Sequence, residues 1–167
     1  MTQEHATTPA PPQPTAEHRK LMEHCGVWNV ACTFYMDPSQ PPMQVSACEK
    51  VEMFGPFWTS SVFEAEMFGA PFKGHCTVGY DPQSGRYVST WIDTMSPTFF
   101  HFTGGFDASG KVLEMKGRAY DCMLKQETDY RTREEHVSPD ERVFEMFMKL
   151  PDGKEVKMFT HRYKRAK

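Results

Sequence analysis

Reversal signals interrupt this chain at short, even intervals, and no other feature restricts its fold so much. They stand at Asp37-Pro38, Gly55-Pro56, Gly69-Ala70-Pro71, Asp81 to Gly85, Ser96-Pro97, Asp107 to Gly110, Ser138 to Asp140 and Pro151 to Gly153. Gly and Pro set the unusual φ values, and neighbouring Asp or Ser side chains hydrogen-bond back to the turn. Between the breaks lie about ten runs, most of roughly eight to twelve residues. The junction from Asp121 to Lys125 is the least sharply marked. Runs of this length joined by tight turns predict neighbouring antiparallel strands. An open sheet of that size would leave two edges bare, so closure into a barrel is expected. About ten strands make a barrel wide enough that an internal cavity is expected too.

The side-chain period agrees. Thr15 is a helix N-cap and Gly26 a stop, with Leu21, Met22 and Cys25 at helical spacing between them. From Gly26 the period becomes two: Trp28, Val30, Cys32, Phe34 and Met36 alternate with smaller or polar residues. The 57–68, 98–106 and 142–150 strands carry apolar groups on both faces, so periodicity alone leaves open which face lines the interior. Residues 1–15, with four prolines and no large aliphatic side chain, read as a disordered tail. Residues 16–167 read as a single barrel domain.

Several classes of function are disfavoured. A net charge of −3 argues against a nucleic-acid partner. No apolar run approaches a membrane span, and no signal-type leader is evident, so the expected location is cytoplasmic. Cys25, Cys32, Cys48, Cys76 and Cys122 are odd in number and lack C-x-x-C or zinc-type spacing; reduced, buried thiols and no metal are expected.

The chemistry-bearing candidates are few. Tyr87, Ser89, Trp91 and Asp93 share one strand face and form a polar-aromatic wall able to stack on and orient a ligand. The plainer reading has Trp91 plugging the core while Asp93 caps the turn that follows. His75, His101 and His161 sit mid-strand among bulky residues; His161, with Phe159 and Tyr163 on its face, is the preferred ligand contact. Glu64, Glu66, Asp93 and Glu145 would act as acid or base if turned inward, Glu145 foremost; otherwise each pairs outward with Lys or Arg. Glu127, Asp129, Arg131, Arg133, Glu134 and Glu135 read as a solvent-facing charged strand. No nucleophile elbow and no phosphate-binding Gly loop is present.

Two resemblances sharpen these expectations. Gly26-Val27-Trp28, after a short helix and before the first strand, resembles the G-x-W of the calycin, or lipocalin-like, barrels. That resemblance implies that Trp28 closes one barrel end beneath a cation from the last strand, Arg165 ahead of Arg162. Gly79-Tyr80-Asp81, Tyr87 to Asp93, Gly105-Phe106-Asp107 and Tyr163-Lys164-Arg165 together resemble an uncharacterised bacterial family known only as a domain of unknown function. It implies the calycin-like fold and no activity. A related barrel family, the nitrobindins, holds haem through a His, which makes haem an alternative cofactor where none is otherwise predicted. The resulting expectation is an all-β, roughly ten-stranded up-and-down barrel that binds a small apolar or amphipathic molecule. Its orienting contacts would be Tyr87, Trp91, Asp93, His161 and Tyr163. The alternatives are an isomerase or hydrolase with an inward carboxylate or His, and a nitrobindin-like haem protein. A homodimer is a further expectation.

Overall fold

The computed structural model describes residues 10–167. The expected tail lies mostly outside these; 10–15 carry no regular structure and lead into the barrel. Helix α1 (Ala16–Leu21) passes into a single 3-10 turn (Met22–His24). Ten strands follow: β1 (Gly26–Phe34), β2 (Met43–Phe54), β3 (Trp58–Met67), β4 (Ala70–Asp81), β5 (Arg86–Asp93), β6 (Phe100–Phe106), β7 (Val112–Asp121), β8 (Gln126–Ser138), β9 (Glu141–Lys149) and β10 (Glu155–Arg165).

Each strand pairs antiparallel with its chain neighbours, and β1 pairs with β10, so the sheet closes with no free edge. The closed ten-stranded up-and-down barrel and its short N-terminal helix are as the turn spacing predicts. The first-to-last pairing runs from Trp28 opposite Arg165 to Phe34 opposite Phe159. A bulge between Lys157 and Phe159 breaks the β9–β10 register, and Met158 and Phe159 both pack against the core. No helix among the described residues is long and apolar enough to cross a membrane.

α1 plugs one barrel end. His18 Nδ1 accepts the Thr15 N–H at 3.1 Å, which fixes the helix start. Leu21 is 1% exposed, and the His18 ring stands edge-on to Phe57 and Tyr80. Lys20 donates to the Gly110 carbonyl while its ammonium covers the Phe106 ring. Beside the plug, the Arg165 guanidinium lies 4.2 Å from the Trp28 ring centroid and donates to the carbonyls of Cys25, Glu23 and Pro139. Those carbonyls end the 3-10 turn and the β8–β9 connection, so Arg165 ties three chain segments together.

Gly26 makes this approach possible. Its φ is +137°, and a Cβ there would stand 2.5 Å from Arg165 Nη1. Gly26→Ala should therefore cost about 1–3 kcal/mol in backbone strain, besides loosening Arg165. Urea denaturation would show a lower midpoint; an unchanged midpoint would mean that Arg165 does not hold this end.

Candidate functional site

The lumen holds two kinds of surface. Towards the mouth opposite α1 it is aromatic, and near α1 it is ionic. His161 on β10 belongs to the first. Its ring stacks with Phe159 (centroids 4.5 Å apart) and Phe63 (5.5 Å), and stands edge-on to Phe34 (5.6 Å). Phe144 and Tyr163 lie 6.2 Å away. Burial, and secondarily the charge of Arg142, push the imidazole down to about 3, so it is neutral at pH 7. Tyr163 Oη lies 3.5 Å from Nδ1, at the outer limit of a hydrogen bond. Nε2 is sealed from solvent and has no partner among the described residues. A buried polar atom left so costs about 1–3 kcal/mol, which demands a reason.

The ionic part is a chain of side chains from five elements. Ser61 on β3 donates to Glu49 on β2 at 2.7 Å, and Glu49 accepts a short bond from Arg142 on β9. The second Arg142 amino group donates to Glu134 Oε2 on β8 at 2.8 Å. Glu134 Oε1 lies 3.1 Å from His136 Nε2, and His136 Nε2 lies 2.9 Å from His24 Nε2 in the 3-10 turn. Arg142 also covers Tyr163 (3.8 Å) and Trp28 (4.9 Å). Burial alone would raise the Glu134 carboxyl, but Arg142, His24 and His136 together hold it well below the usual carboxylate range. His24 is pushed down to about 4 by burial, opposed only in part by Glu134.

Alternation places the five sequence-predicted ligand contacts on inner faces, yet in three locations. His161 and Tyr163 stand mid-lumen. Trp91 reaches them through Phe63, 6.1 Å from its ring, and lies flat over Gly74, where a Cβ would come within 2.1 Å of the indole. Asp93 accepts the Trp91 Nε1–H at 2.9 Å and the N–H groups of Met95 and Ser96, as a turn cap would. Tyr87 is in the plug at the other end, donating to the Glu17 carbonyl at 3.2 Å. His75 pairs with Ser60, and His101 is exposed.

The carboxylates divide otherwise than the sequence suggests. Glu145, the foremost inward candidate, salt-bridges Lys157 and Arg133. Glu64 pairs with Lys73 and Glu66 is exposed. Glu134, grouped with a solvent-facing charged strand, is instead 8% exposed and inside the barrel. The correction follows from period two: Thr128, Tyr130, Thr132, Glu134 and His136 form the inner face, while Glu127, Asp129, Arg131, Arg133 and Glu135 form the outer. Glu49 sits similarly between Ala47 and Val51, and Arg142 continues the Phe144, Met146, Met148 face. Two surface depressions, of about 400 Å³ beside Met22 and Val51 and about 390 Å³ beside Gln126 and Gly153, lie outside the lumen.

The family model described as "Protein of unknown function (DUF1579)" matches residues 13–165. No curated protein matches. The barrel is similar to Rv2717c from M. tuberculosis, with a TM-score of 0.68 and 12% identity over 93% of this chain and 100% of that one. It is also similar to the S-type phycobiliprotein lyase CPES from Guillardia theta, with a TM-score of 0.59 and 13% identity over 92% of this chain and 99% of that one.

Proposed function

The chain belongs to this DUF1579 family of proteins of unknown function, and on that premise we propose that it binds a small, flat, largely apolar molecule in the aromatic half of the lumen. The carrying observation is His161: a neutral imidazole, ringed by Phe34, Phe63, Phe144, Phe159 and Tyr163, whose Nε2 has no partner among the described residues. Aromatic walls supply contact area, and one convergent polar atom supplies orientation. The ligand enters at the mouth opposite α1, past Phe34, Phe72 and Trp91, all of them half-buried. Likeness in fold to a phycobiliprotein lyase supports small-molecule work for a barrel of this shape. Tyr163 and Trp91 complete the contacts; Tyr87 and Asp93 act at a distance by holding the plug and the Trp91 indole.

Haem fits less well. Nε2 is sealed even from water, so any ligand reaches it only as the ring side chains move, and a macrocycle needs many more of them displaced than a small flat molecule does. The acid–base alternative has the inward carboxylates Glu49 and Glu134, but both are bound to Arg142.

The test is equilibrium titration with anilinonaphthalene sulfonate, read by probe emission and by tryptophan quenching, with native mass spectrometry of protein from its own host. One saturable site is expected, weakened at least about tenfold by Gly74→Ala, which displaces Trp91, and by His161→Phe, which removes the polar anchor. Binding that survives both substitutions would refute the reading. A Soret band at stoichiometric haem would replace it with the haem alternative.

A further inference from the structure

We propose that His24, Glu134 and His136 form a binding site for a divalent first-row transition metal, zinc or iron(II) in class, at the plugged end of the barrel. The three donor atoms converge: His136 Nε2 stands 2.9 Å from His24 Nε2 and 3.1 Å from Glu134 Oε1, and His24 Nε2 stands 3.6 Å from the same oxygen. Ligands on metal bonds of about 2.0–2.2 Å lie about 2.9 Å apart at right angles and about 3.5 Å apart at tetrahedral angles. The triangle therefore matches one ion seated just off its plane. Two imidazoles and one carboxylate bound on one face suit zinc and non-haem iron(II) and disfavour magnesium or calcium.

The surroundings suit a metal in further ways. Glu134 is held by its other oxygen, through the 2.8 Å bond from Arg142, so Oε1 is left aimed at the histidines. Arg142 is itself fixed by Glu49, and Glu49 by Ser61; such outer partners orient first-layer ligands. The backbone at His24 is pinned by the Trp28 Nε1–H, which donates to its carbonyl at 2.9 Å. Counted as ionised, Glu49 and Glu134 outnumber Arg142, and a dication would oppose the excess negative charge. The site is largely enclosed, the side chains of His24, Glu134 and His136 being 11%, 11% and 15% exposed, with His136 the least buried. The sequence gives little warning, because His24 and Glu134 lie on separate elements and no short ligand spacing joins them. This inference does not depend on the ligand reading, since His161 belongs to the aromatic half of the lumen.

The experiment is a titration of EDTA-stripped, full-length protein with Co²⁺, followed by displacement with Zn²⁺. Expected are one equivalent of Co²⁺, visible d–d bands without the near-ultraviolet charge transfer that the exposed thiols Cys48 and Cys122 would give, and a raised thermal midpoint. His24→Ala and His136→Ala should each weaken binding by more than the roughly 10–100-fold that loss of an outer partner costs. Circular dichroism in EDTA identifies variants that remain folded, and probe binding in the aromatic half should survive His136→Ala. Failure of folded wild-type protein to take up an equivalent of Co²⁺ or Zn²⁺ would overturn the proposal, as would uptake unchanged in both histidine variants.

Discussion

Arg142→Met should destabilise the barrel by about 3–5 kcal/mol at pH 7, the largest single-residue effect expected in this molecule. Arg142 is the only arginine or lysine bonded to Glu49 and Glu134 among the described residues, and all three side chains are nearly sealed from water. Removing it leaves two carboxylates inside a low-dielectric lumen with no countercharge. Methionine restores much of the contact with Trp28 and Tyr163, so the loss reports charge more than volume. Glu49→Gln and Glu134→Gln added to Arg142→Met should recover most of it, because a neutral lumen no longer needs the cation. Urea denaturation in EDTA measures both variants, and the strong non-additivity is the signature. A loss below about 1 kcal/mol for the single substitution would mean that water reaches the network and screens it.

That network marks where sequence reading stops. The strand count, the closure and the helix were legible because each rests on local information: φ-setting turn residues and a period of two. Sidedness could be narrowed for β5, where Tyr87 is buried and Trp91 packs against Phe63. It was illegible for β8. There Glu134 sits in a run of alternating charges, and only its phase relative to Tyr130 and Thr132 separates it from its neighbours. Pairing was beyond reach for a different reason. Glu49 and Arg142 are 93 residues apart and His24 and His136 are 112 apart, and the barrel's curvature brings each pair together. Local periodicity gives a side chain its face; closure gives it its partner. Asp93 illustrates the converse, a conspicuous carboxylate whose hydrogen bonds are all local, two serving a turn and one the Trp91 indole.

His161→Phe should make the protein more stable and, under the ligand reading, unable to bind. At pH 7 the substitution removes a buried nitrogen without a partner and keeps an aromatic ring among aromatic rings, a gain of about 1 kcal/mol. The difference should widen in acid. Burial holds the folded imidazole at about 3, whereas in the unfolded chain it protonates near its ordinary value of about 6.5. Between those values the unfolded state binds the extra proton, so wild-type stability falls as pH falls. The slope is at most about 1.4 kcal/mol per pH unit, and the accumulated loss is about 3 kcal/mol by pH 4. Above pH 6.5 this contribution to the slope vanishes. Arg142, Tyr163 and the cross-strand neighbour Cys32 are ionisable groups near the ring, and all three have values pushed upward, so none titrates in this window. Subtracting the variant's urea-denaturation profile from the wild type's between pH 4 and 8 isolates the single histidine from the other acid-labile groups. Parallel profiles would show that the imidazole is reached by water or already protonated in the fold, and its case as a ligand's polar anchor would fall with them. Divergent profiles together with lost probe binding would show a residue that weakens the barrel at every pH and is retained for what it holds.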